Sequence, residues 1–180
     1  ILDGLIRVEF NKIEDIKNVL SNHDDVSAIL LEPVQGEGGI VPCDKVYLQE
    51  VRDICNQQNI LLMIDEVQSG FCRTGRWFGY QHSEISPDVV MVAKALGNGV
   101  PIGACLARGN AANVLTAGMH GSTFGGNFLS TSVGLKVLDI MRDKQLCQHV
   151  ITISKAMKEY METKLKDLKA VHEIRVCGLM

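Results

Sequence analysis

The chain has 180 residues, of which 46% are apolar and 22% charged, with a net charge of −3. This size and composition are typical of one globular domain with a substantial core. The weak negative charge and the lack of a basic stripe argue against nucleic acid as a partner. No apolar run reaches the roughly 18 residues that a membrane helix needs, so we expect no membrane partner either.

The six cysteines occur without a CxxC pair and without a nearby histidine cluster. This spacing is not that of a zinc site, and we expect no metal. Scattered cysteines of this kind are typical of reduced thiols, and we therefore expect a cytoplasmic protein. The chain begins without methionine and ends in an apolar run, so we expect it to be an internal part of a longer protein.

Four apolar runs rich in β-branched residues predict buried strands, because they are continuous rather than alternating. They are residues 26–31, 60–64, 89–93 and 102–107. Residues 44–59 lie between the first two runs and have helical spacing, with Tyr47, Val51 and Cys55 on one face. The order strand, helix, strand predicts an α/β fold with a mostly parallel sheet.

The last third of the chain has helical periodicity over residues 128–141 and again from Leu146 to about Leu168. We interpret both segments as packing helices. A new strand is predicted to start near Val171 and to open a second domain. The predicted division is therefore one domain over residues 1–168 and the start of another over 169–180.

The stretch "ILLMIDE" ends a buried strand in two acids, Asp65 and Glu66. This is the form of a strand that holds magnesium in nucleotide hydrolases. Such enzymes also need a phosphate loop of the form GxxxxGK followed by Ser or Thr. The segment "GFCRTGRW" has the glycine spacing, but Arg76 and Trp77 replace Lys and Ser/Thr, and no strand leads into it. A nucleotide hydrolase is therefore disfavoured.

Asp65 has a second interpretation, in which its carboxylate pairs with a protonated pyridine nitrogen and keeps a cofactor ring ready to accept electrons. This chemistry requires a lysine at the end of a neighbouring strand. Lys94 follows the run at 89–93, where the next parallel strand would end at the same carboxyl edge of the sheet. The alternative is an ordinary lysine that extends its amine from a strand end into solvent.

The stretch "LLMIDEVQSGFCRTGRWFGYQHSEISPDVVMVAKALGNGVPIGA" resembles the signature of the class III aminotransferases, which are fold type I enzymes that depend on pyridoxal 5'-phosphate. "LEPVQGEGGI" upstream and "HGSTFGGN" downstream fit the same family in the same order. The pattern is most similar to its acetylornithine branch. The resemblance implies a three-layer large domain with a mostly parallel sheet, here truncated at both ends. Residues 1–168 would belong to this cofactor-binding domain, and 169–180 would begin the C-terminal small domain.

The resemblance implies roles for four residues around the cofactor. Asp65 matches the partner of the pyridine nitrogen, and Val67 matches the residue that packs against the ring face. Gln68 matches the hydrogen-bond donor near the phenolic oxygen of the ring. Lys94 matches the catalytic lysine that binds the cofactor covalently as a Schiff base.

Other positions have a role by resemblance and a plainer alternative. Thr123 matches a hydroxyl that reaches the cofactor phosphate of the partner subunit in a homodimer, and its alternative is to cap the following helix. Glu37 matches a substrate-binding acid that pairs with an arginine, and Glu32 a structural acid near the cofactor; both are otherwise loop carboxylates. Phe128 replaces the family's usual proline. Glu66, on the opposite side of the strand from Asp65, is predicted to be a structural hydrogen-bond acceptor.

The reaction implied by the resemblance moves the terminal amino group of N-acetylornithine, or of a related ornithine-type amine, to 2-oxoglutarate. It gives a semialdehyde and glutamate and implies a role in arginine biosynthesis or catabolism. The alternatives are another class III aminotransferase, for ornithine, succinylornithine, 4-aminobutyrate or diaminopelargonate, or a non-catalytic homologue. Asp65, Gln68 and Lys94 occur together, which argues against the homologue. We expect these 180 residues alone to be inactive.

Overall fold

The computed structural model describes residues 3–180 as an α/β fold. Helices α1 to α4 span Ile13–Asn22, Lys45–Gln58, Phe128–Asp143 and Leu146–Leu165. Strands β1 to β6 span Ala28–Leu31, Val34–Gln35, Val41–Pro42, Leu61–Asp65, Val89–Val92 and Ala104–Ala107. Short 3-10 turns lie at Gly79–Ser83, Lys94–Leu96 and Gly109–Asn113. None of the helices over these residues is long and apolar enough to cross a membrane.

The main sheet has four strands in the order β1, β4, β5, β6. β1 pairs with β4 and β4 with β5 in parallel, whereas β5 and β6 are antiparallel. The predicted mostly parallel sheet is therefore confirmed. Asp65 at the end of β4 is the Cα partner of Met91 in β5, so these two strands end at the same edge.

The core lies on one face of this sheet. Leu62 and Ile64 pack with α1 and α2, while Val90 and Val92 pack with α3 and the start of α4. Ile64 is the register partner of Val90, so both clusters lie on the same face. On the opposite face Leu30 remains 60% exposed. Residues 3–180 thus form the sheet and one helical layer.

Helix α2 has the start and stop signals that its sequence predicts. The Asp44 carboxylate accepts hydrogen bonds from the backbone N–H of Val46 at 2.8 Å and of Tyr47 at 3.1 Å. Asn59 ends the helix in the left-handed conformation, with φ 55°. As predicted, the helix buries one face, formed by Tyr47, Leu48, Val51, Arg52 and Cys55.

A buried strand is predicted over residues 102–107, and the prediction that it is buried is wrong. The strand exists as β6, but all four of its residues are exposed. β6 is the last strand in the sheet order and is antiparallel to β5. Within residues 3–180 neither hydrophobic cluster includes any residue of β6, so its side chains are not covered.

The predicted strand near Val171 is also wrong. The described chain has no regular structure over residues 171–180 apart from a bend and a turn near its end. The backbone there bonds to a distant loop instead, since the N–H of Leu179 donates to the carbonyl of Arg73 at 2.9 Å. These backbone groups are paired without forming a sheet ladder.

Candidate active site

The carboxyl edge of β4 and β5 brings the predicted acid and the predicted lysine to one side of the molecule. β4 ends at Asp65, and β5 ends at Val92, two residues before Lys94. Because the strands are parallel and Asp65 is in register with Met91, both side chains belong to the same edge. Asp65 is half-buried, whereas the side chain of Lys94 is exposed.

The Asp65 carboxylate is oriented by its own loop. Its Oδ1 atom accepts a hydrogen bond from the backbone N–H of Val67 at 2.9 Å. This short turn holds the carboxylate at the start of the loop after β4. The hydrogen bonds among residues 3–180 leave Oδ2 without a donor, so this oxygen can accept a proton or a hydrogen bond from a ligand.

Glu66 points into the interior and is fully buried. Its Oε2 accepts hydrogen bonds from the Ser69 hydroxyl at 2.6 Å and from the Gly79 N–H at 2.9 Å. Its Oε1 accepts from the Tyr80 N–H at 2.8 Å. Burial raises the pKa of Glu66, and these three donors oppose that rise.

The prediction that Glu66 is a structural acceptor is therefore confirmed. Since Asp65 and Glu66 lie in different surroundings, the pair does not offer two carboxylates to one ion. Glu66 instead ties the end of β4 to the 3-10 turn Gly79–Ser83, thirteen and fourteen residues further along. It thereby closes the loop that carries Val67 and Gln68.

Gln68 lies directly against the connection between β2 and β3. A Cβ atom built on Gly36 would be 1.5 Å from Oε1 of Gln68, so any larger residue there would displace the Gln68 amide. The Gly36 N–H in turn donates to Oε2 of Glu32 at 3.2 Å. Glu32 therefore has a structural contact in this loop, and it holds Gly36 where the Gln68 amide packs.

Glu37 is exposed in the connection between β2 and β3. A contact that the sequence does not predict reaches this connection, since Nε of Arg175 donates to the carbonyl of Gly39 at 2.8 Å. The two residues are 136 positions apart, and no local pattern links them. The end of the chain thus packs against the loop that carries Glu37.

Thr123 is exposed in the segment before α3 and does not cap that helix. The cap is Asn127, whose side chain accepts a hydrogen bond from the Ser130 N–H at 2.9 Å. The capping alternative for Thr123 is therefore wrong. Phe128 begins α3 and is 92% exposed, so the helix starts there without the family's proline.

Lys94 has an unusual backbone conformation that the sequence does not predict. Its φ is 39°, a left-handed value that is uncommon for a residue with a side chain. The conformation is held because the Lys94 carbonyl accepts from the N–H groups of Gly97 and Asn98, both at 3.1 Å. A Cβ on Gly97 would meet the Val100 carbonyl at 2.0 Å, so this turn requires glycine. Backbone strain of this kind is concentrated at functional sites.

A cleft of about 470 Å³ lies away from this edge. Two of its lining residues, Ser86 before β5 and Arg108 after β6, place it near the opposite end of the strands. Basic, acidic and neutral residues line the cleft, namely Gln49, Arg52, Asp53, Asn56, Glu84, Ile85, Ser86 and Arg108. It has no contact with Asp65 or Lys94 and is not part of the candidate active site.

A parallel sheet with an acid and a lysine at one carboxyl edge is compatible with a pyridoxal-phosphate-dependent transferase. The family model for aminotransferase class-III matches residues 6–180. The chain belongs to this family, whose members depend on pyridoxal phosphate.

Within the family, the chain is similar to acetylornithine aminotransferases. It is 47% identical to that of Nitrosomonas europaea, over 100% of this chain and 46% of the relative. It is 43% identical to that of Methanocaldococcus jannaschii, over 98% of this chain and 44% of the relative. The chain thus spans about half the length of the curated relatives it matches.

Solved structures show the same fold. The acetylornithine aminotransferase of Elizabethkingia anophelis superposes with a TM-score of 0.93 at 33% identity, over 99% of this chain and 47% of that one. An ornithine aminotransferase of Toxoplasma gondii gives a TM-score of 0.94 at 33% identity, over 99% of this chain and 42% of that one. The predicted fold class, part of a fold type I transferase, is confirmed.

Proposed function

We propose that the chain is the central part of an aminotransferase that moves the terminal amino group of N-acetylornithine, or of a related ornithine-type amine, to 2-oxoglutarate. The observation that carries this proposal is the placement of Asp65 and Lys94 at one carboxyl edge of two parallel strands. The similarity to acetylornithine aminotransferases favours this donor. The proposal implies arginine metabolism in the cytoplasm.

The residues at this edge fit pyridoxal phosphate. Asp65 offers an oxygen without a donor, which suits a protonated pyridine nitrogen. Gln68 is held beside Gly36 and would donate to the phenolic oxygen of the ring, while Val67 would pack on the ring face. Lys94 is exposed at the strand end, where its amine can bond a carbonyl carbon.

When bound, pyridoxal phosphate supplies an electron sink for the bond being broken at the substrate carbon. The Asp65 carboxylate would keep a proton on the pyridine nitrogen. The Lys94 amine would hold the cofactor at this edge through its Nζ atom. The same Nζ atom would take the proton from the amine-bearing substrate carbon and later return it, as the general base and acid of the reaction.

Glu37 and Thr123 complete the proposed site. We assign Glu37 the role of holding an arginine that a substrate carboxylate later takes. Thr123 would reach the cofactor phosphate of the partner subunit in a homodimer. Exposed apolar residues beside Thr123 support a subunit contact there, with Phe124 at 82% and Phe128 at 92% exposure.

The dimer and the role of Thr123 have their own experiment. Sedimentation of the full-length enzyme is expected to give the mass of a dimer. Thr123→Ala should weaken cofactor binding, whereas Ser122→Ala, a loss of the neighbouring hydroxyl, should leave it unchanged. A monomeric enzyme that binds the cofactor normally would refute this part of the proposal.

The test of the catalytic assignment is reductive trapping with borohydride in the full-length enzyme. The parent enzyme should become irreversibly labelled with cofactor on the peptide that contains Lys94. Lys94→Ala should lose the label and the activity, while Lys136→Ala, at an exposed position on α3, should keep both. A labelled, active Lys94→Ala variant would exclude Lys94.

The donor substrate needs a panel of amines with 2-oxoglutarate as acceptor. N-acetylornithine should give the highest kcat/KM. A higher value for ornithine, succinylornithine, 4-aminobutyrate or diaminopelargonate synthesis would assign the enzyme to that branch of the family. Absence of turnover with every donor, in a sample that binds the cofactor, would favour the non-catalytic homologue.

We also propose that residues 1–168 belong to the cofactor-binding large domain and that residues 169–180 begin the small domain. The contacts of residues 175–179 with the loops at Gly39 and Arg73 support a boundary at which the two domains touch. Limited proteolysis of the full-length enzyme should cut near residue 168. Cleavage only at other sites would contradict this boundary.

A further inference from the structure

We propose that Cys72 and Cys147 form a redox modification site, in which a small-molecule disulfide converts the two thiols into one disulfide bond. Their Sγ atoms are 2.9 Å apart, and the Cys147 thiol donates to the Cys72 sulfur. The residues are 75 positions apart along the chain. A disulfide bond length is about 2.0 Å, so the sulfurs have to approach by only about 0.9 Å.

The surrounding packing keeps the two sulfurs together. Cys72 lies in the loop after β4, where it and Phe71 both have left-handed backbone, with φ 65° and 53°. A Cβ on Gly75 would be 2.9 Å from Cγ1 of Ile151 in α4, which shows how closely this loop approaches the helix. Cys147 is in the first turn of α4. The thiol pair therefore joins two elements that already touch.

The other four cysteines have no sulfur partner among the described residues. Cys105 is exposed, Cys55 is 1% exposed, and Cys43 and Cys177 are half-buried. All six are free thiols. Among the described residues, Cys72 and Cys147 are therefore the only cysteines whose sulfurs are in contact.

The exposure of the two thiols sets the order of the reaction. Burial, together with the contact to Cys147, raises the pKa of Cys72 to about 12, so this residue is a thiol at neutral pH and a poor first nucleophile. Cys72 is 2% exposed, whereas Cys147 is half-buried and reachable. Cys147 therefore reacts first and Cys72 second.

Each step is balanced as a thiol–disulfide exchange. Cys147 Sγ bonds to one sulfur of the external disulfide, whose S–S bond breaks, and one small thiol leaves with the Cys147 proton. Cys72 Sγ then bonds to Cys147 Sγ, and the second small thiol leaves with the Cys72 proton. The protein gives up two electrons, and the two released thiols hold them.

The new bond would fasten the loop that carries Val67 and Gln68 to α4. A cross-link over 75 residues restricts the unfolded chain strongly, so the oxidised protein should unfold at a higher temperature. This disulfide does not depend on the proposed transamination, because its formation is detected from the covalent state of the two thiols and not from activity.

The test is peptide mapping of the full-length enzyme after incubation with oxidised glutathione and alkylation of the remaining thiols. Trypsin should yield residues 53–73 joined to residues 145–155. Residues 53–73 contain Cys55 as well as Cys72, and fragment spectra should place the bond on Cys72. Dithiothreitol should remove the cross-link and reverse the rise in Tm.

Cys147→Ser should abolish the cross-link and the rise in Tm, while the matched Cys177→Ser should keep both. The parent protein decides the question even where a variant does not fold. The proposal would be overturned if Cys147 were found alkylated, or carrying glutathione alone, in a sample whose other thiols have been oxidised.

Discussion

Gly36 and Gln68 share one space at the candidate site: a Cβ on Gly36 would lie 1.5 Å from Oε1 of Gln68. Gly36 directly follows β2 and Gln68 lies in the loop after β4, so this contact joins the β2–β3 connection to the loop that begins at Asp65. The bare backbone at residue 36 lets the Gln68 amide lie beside the Asp65 edge. Gly36 is thus needed for the position of a proposed cofactor contact.

Gly36→Ala should displace the Gln68 amide and lower kcat of the full-length enzyme by about tenfold or more, a loss of about 1.4 kcal/mol in transition-state stabilisation. Steady-state kinetics and the absorbance of the bound cofactor measure the effect. Gly38→Ala is the matched control, because its Cβ would meet only the flexible Gln35 side chain at 3.1 Å. Equal activity in both variants would contradict the role of Gly36.

The three donors around Glu66 predict a loss of stability when its charge is removed. In the parent protein, both carboxylate oxygens of Glu66 accept hydrogen bonds. Glu66→Gln replaces one of these oxygens by an NH2 group, which faces at least one of the same donors and cannot accept from it. We expect the free energy of unfolding to fall by about 2 kcal/mol, since a buried donor loses its partner. Urea denaturation of the full-length enzyme measures this change.

Ser69→Ala is the control for Glu66→Gln. It removes one hydrogen bond but leaves both backbone donors on Glu66, so it should cost only about 1 kcal/mol. A Ser69→Ala variant as unstable as Glu66→Gln would show that the hydroxyl, rather than the backbone clamp, holds the loop.

Local patterns predicted the framework of the site. The apolar runs before Asp65 and Lys94 are strands because continuous apolar side chains suit a covered parallel sheet. Alternation along β4 then separates Asp65 from Glu66, which the hydrogen bonds of Glu66 confirm. These features depend on neighbours along the chain and are visible without a tertiary structure.

Other features depend on distant residues and escaped prediction. The residues of β6 were expected to be buried, yet their exposure is decided by which strands and helices cover them. The run near Val171 resembles a strand, but Leu179 and Arg175 bond to loops far along the chain. The left-handed φ of Lys94 has no sequence signal, since lysine does not favour it.

Phe128 occupies the first position of α3, where proline is favourable because its missing N–H has no partner within the helix. The preceding Asn127 has φ −61° and ψ 148°, which a following proline allows. Phe128→Pro should therefore leave stability unchanged or raise it by up to about 1 kcal/mol. Thermal unfolding of the full-length enzyme measures the difference.

Thr131→Pro is the control for the proline substitution. The Thr131 N–H donates to the Asn127 carbonyl at 3.1 Å, so proline there removes a helix hydrogen bond and should cost about 3 kcal/mol. A loss of similar size for Phe128→Pro would show that the first turn of α3 cannot accept the family's usual residue.

Asp88 forms a largely buried ion pair with Arg52, with Oδ2 and NH1 2.7 Å apart. The same Oδ2 accepts from the Leu62 N–H at 2.8 Å. Burial alone would raise the pKa of Asp88, but the Leu62 N–H and the Arg52 guanidinium outweigh burial and hold this pKa below its ordinary value of 3.8. The folded protein therefore binds fewer protons at Asp88 than the unfolded chain does.

It follows that Asp88 contributes stability that is fully present above about pH 4 and is lost as the pH falls through its folded-state pKa. Asp88→Asn leaves Arg52 buried without its anion and should cost about 3 kcal/mol near neutral pH. The difference between variant and parent should shrink as the pH falls through the folded-state pKa of Asp88, because the parent then protonates this carboxylate. Urea denaturation at a series of pH values measures this difference. The control is Asp53→Asn, which changes an exposed residue on α2, next to Arg52. A difference that stayed constant with pH would show that Asp88 acts through packing rather than through its charge.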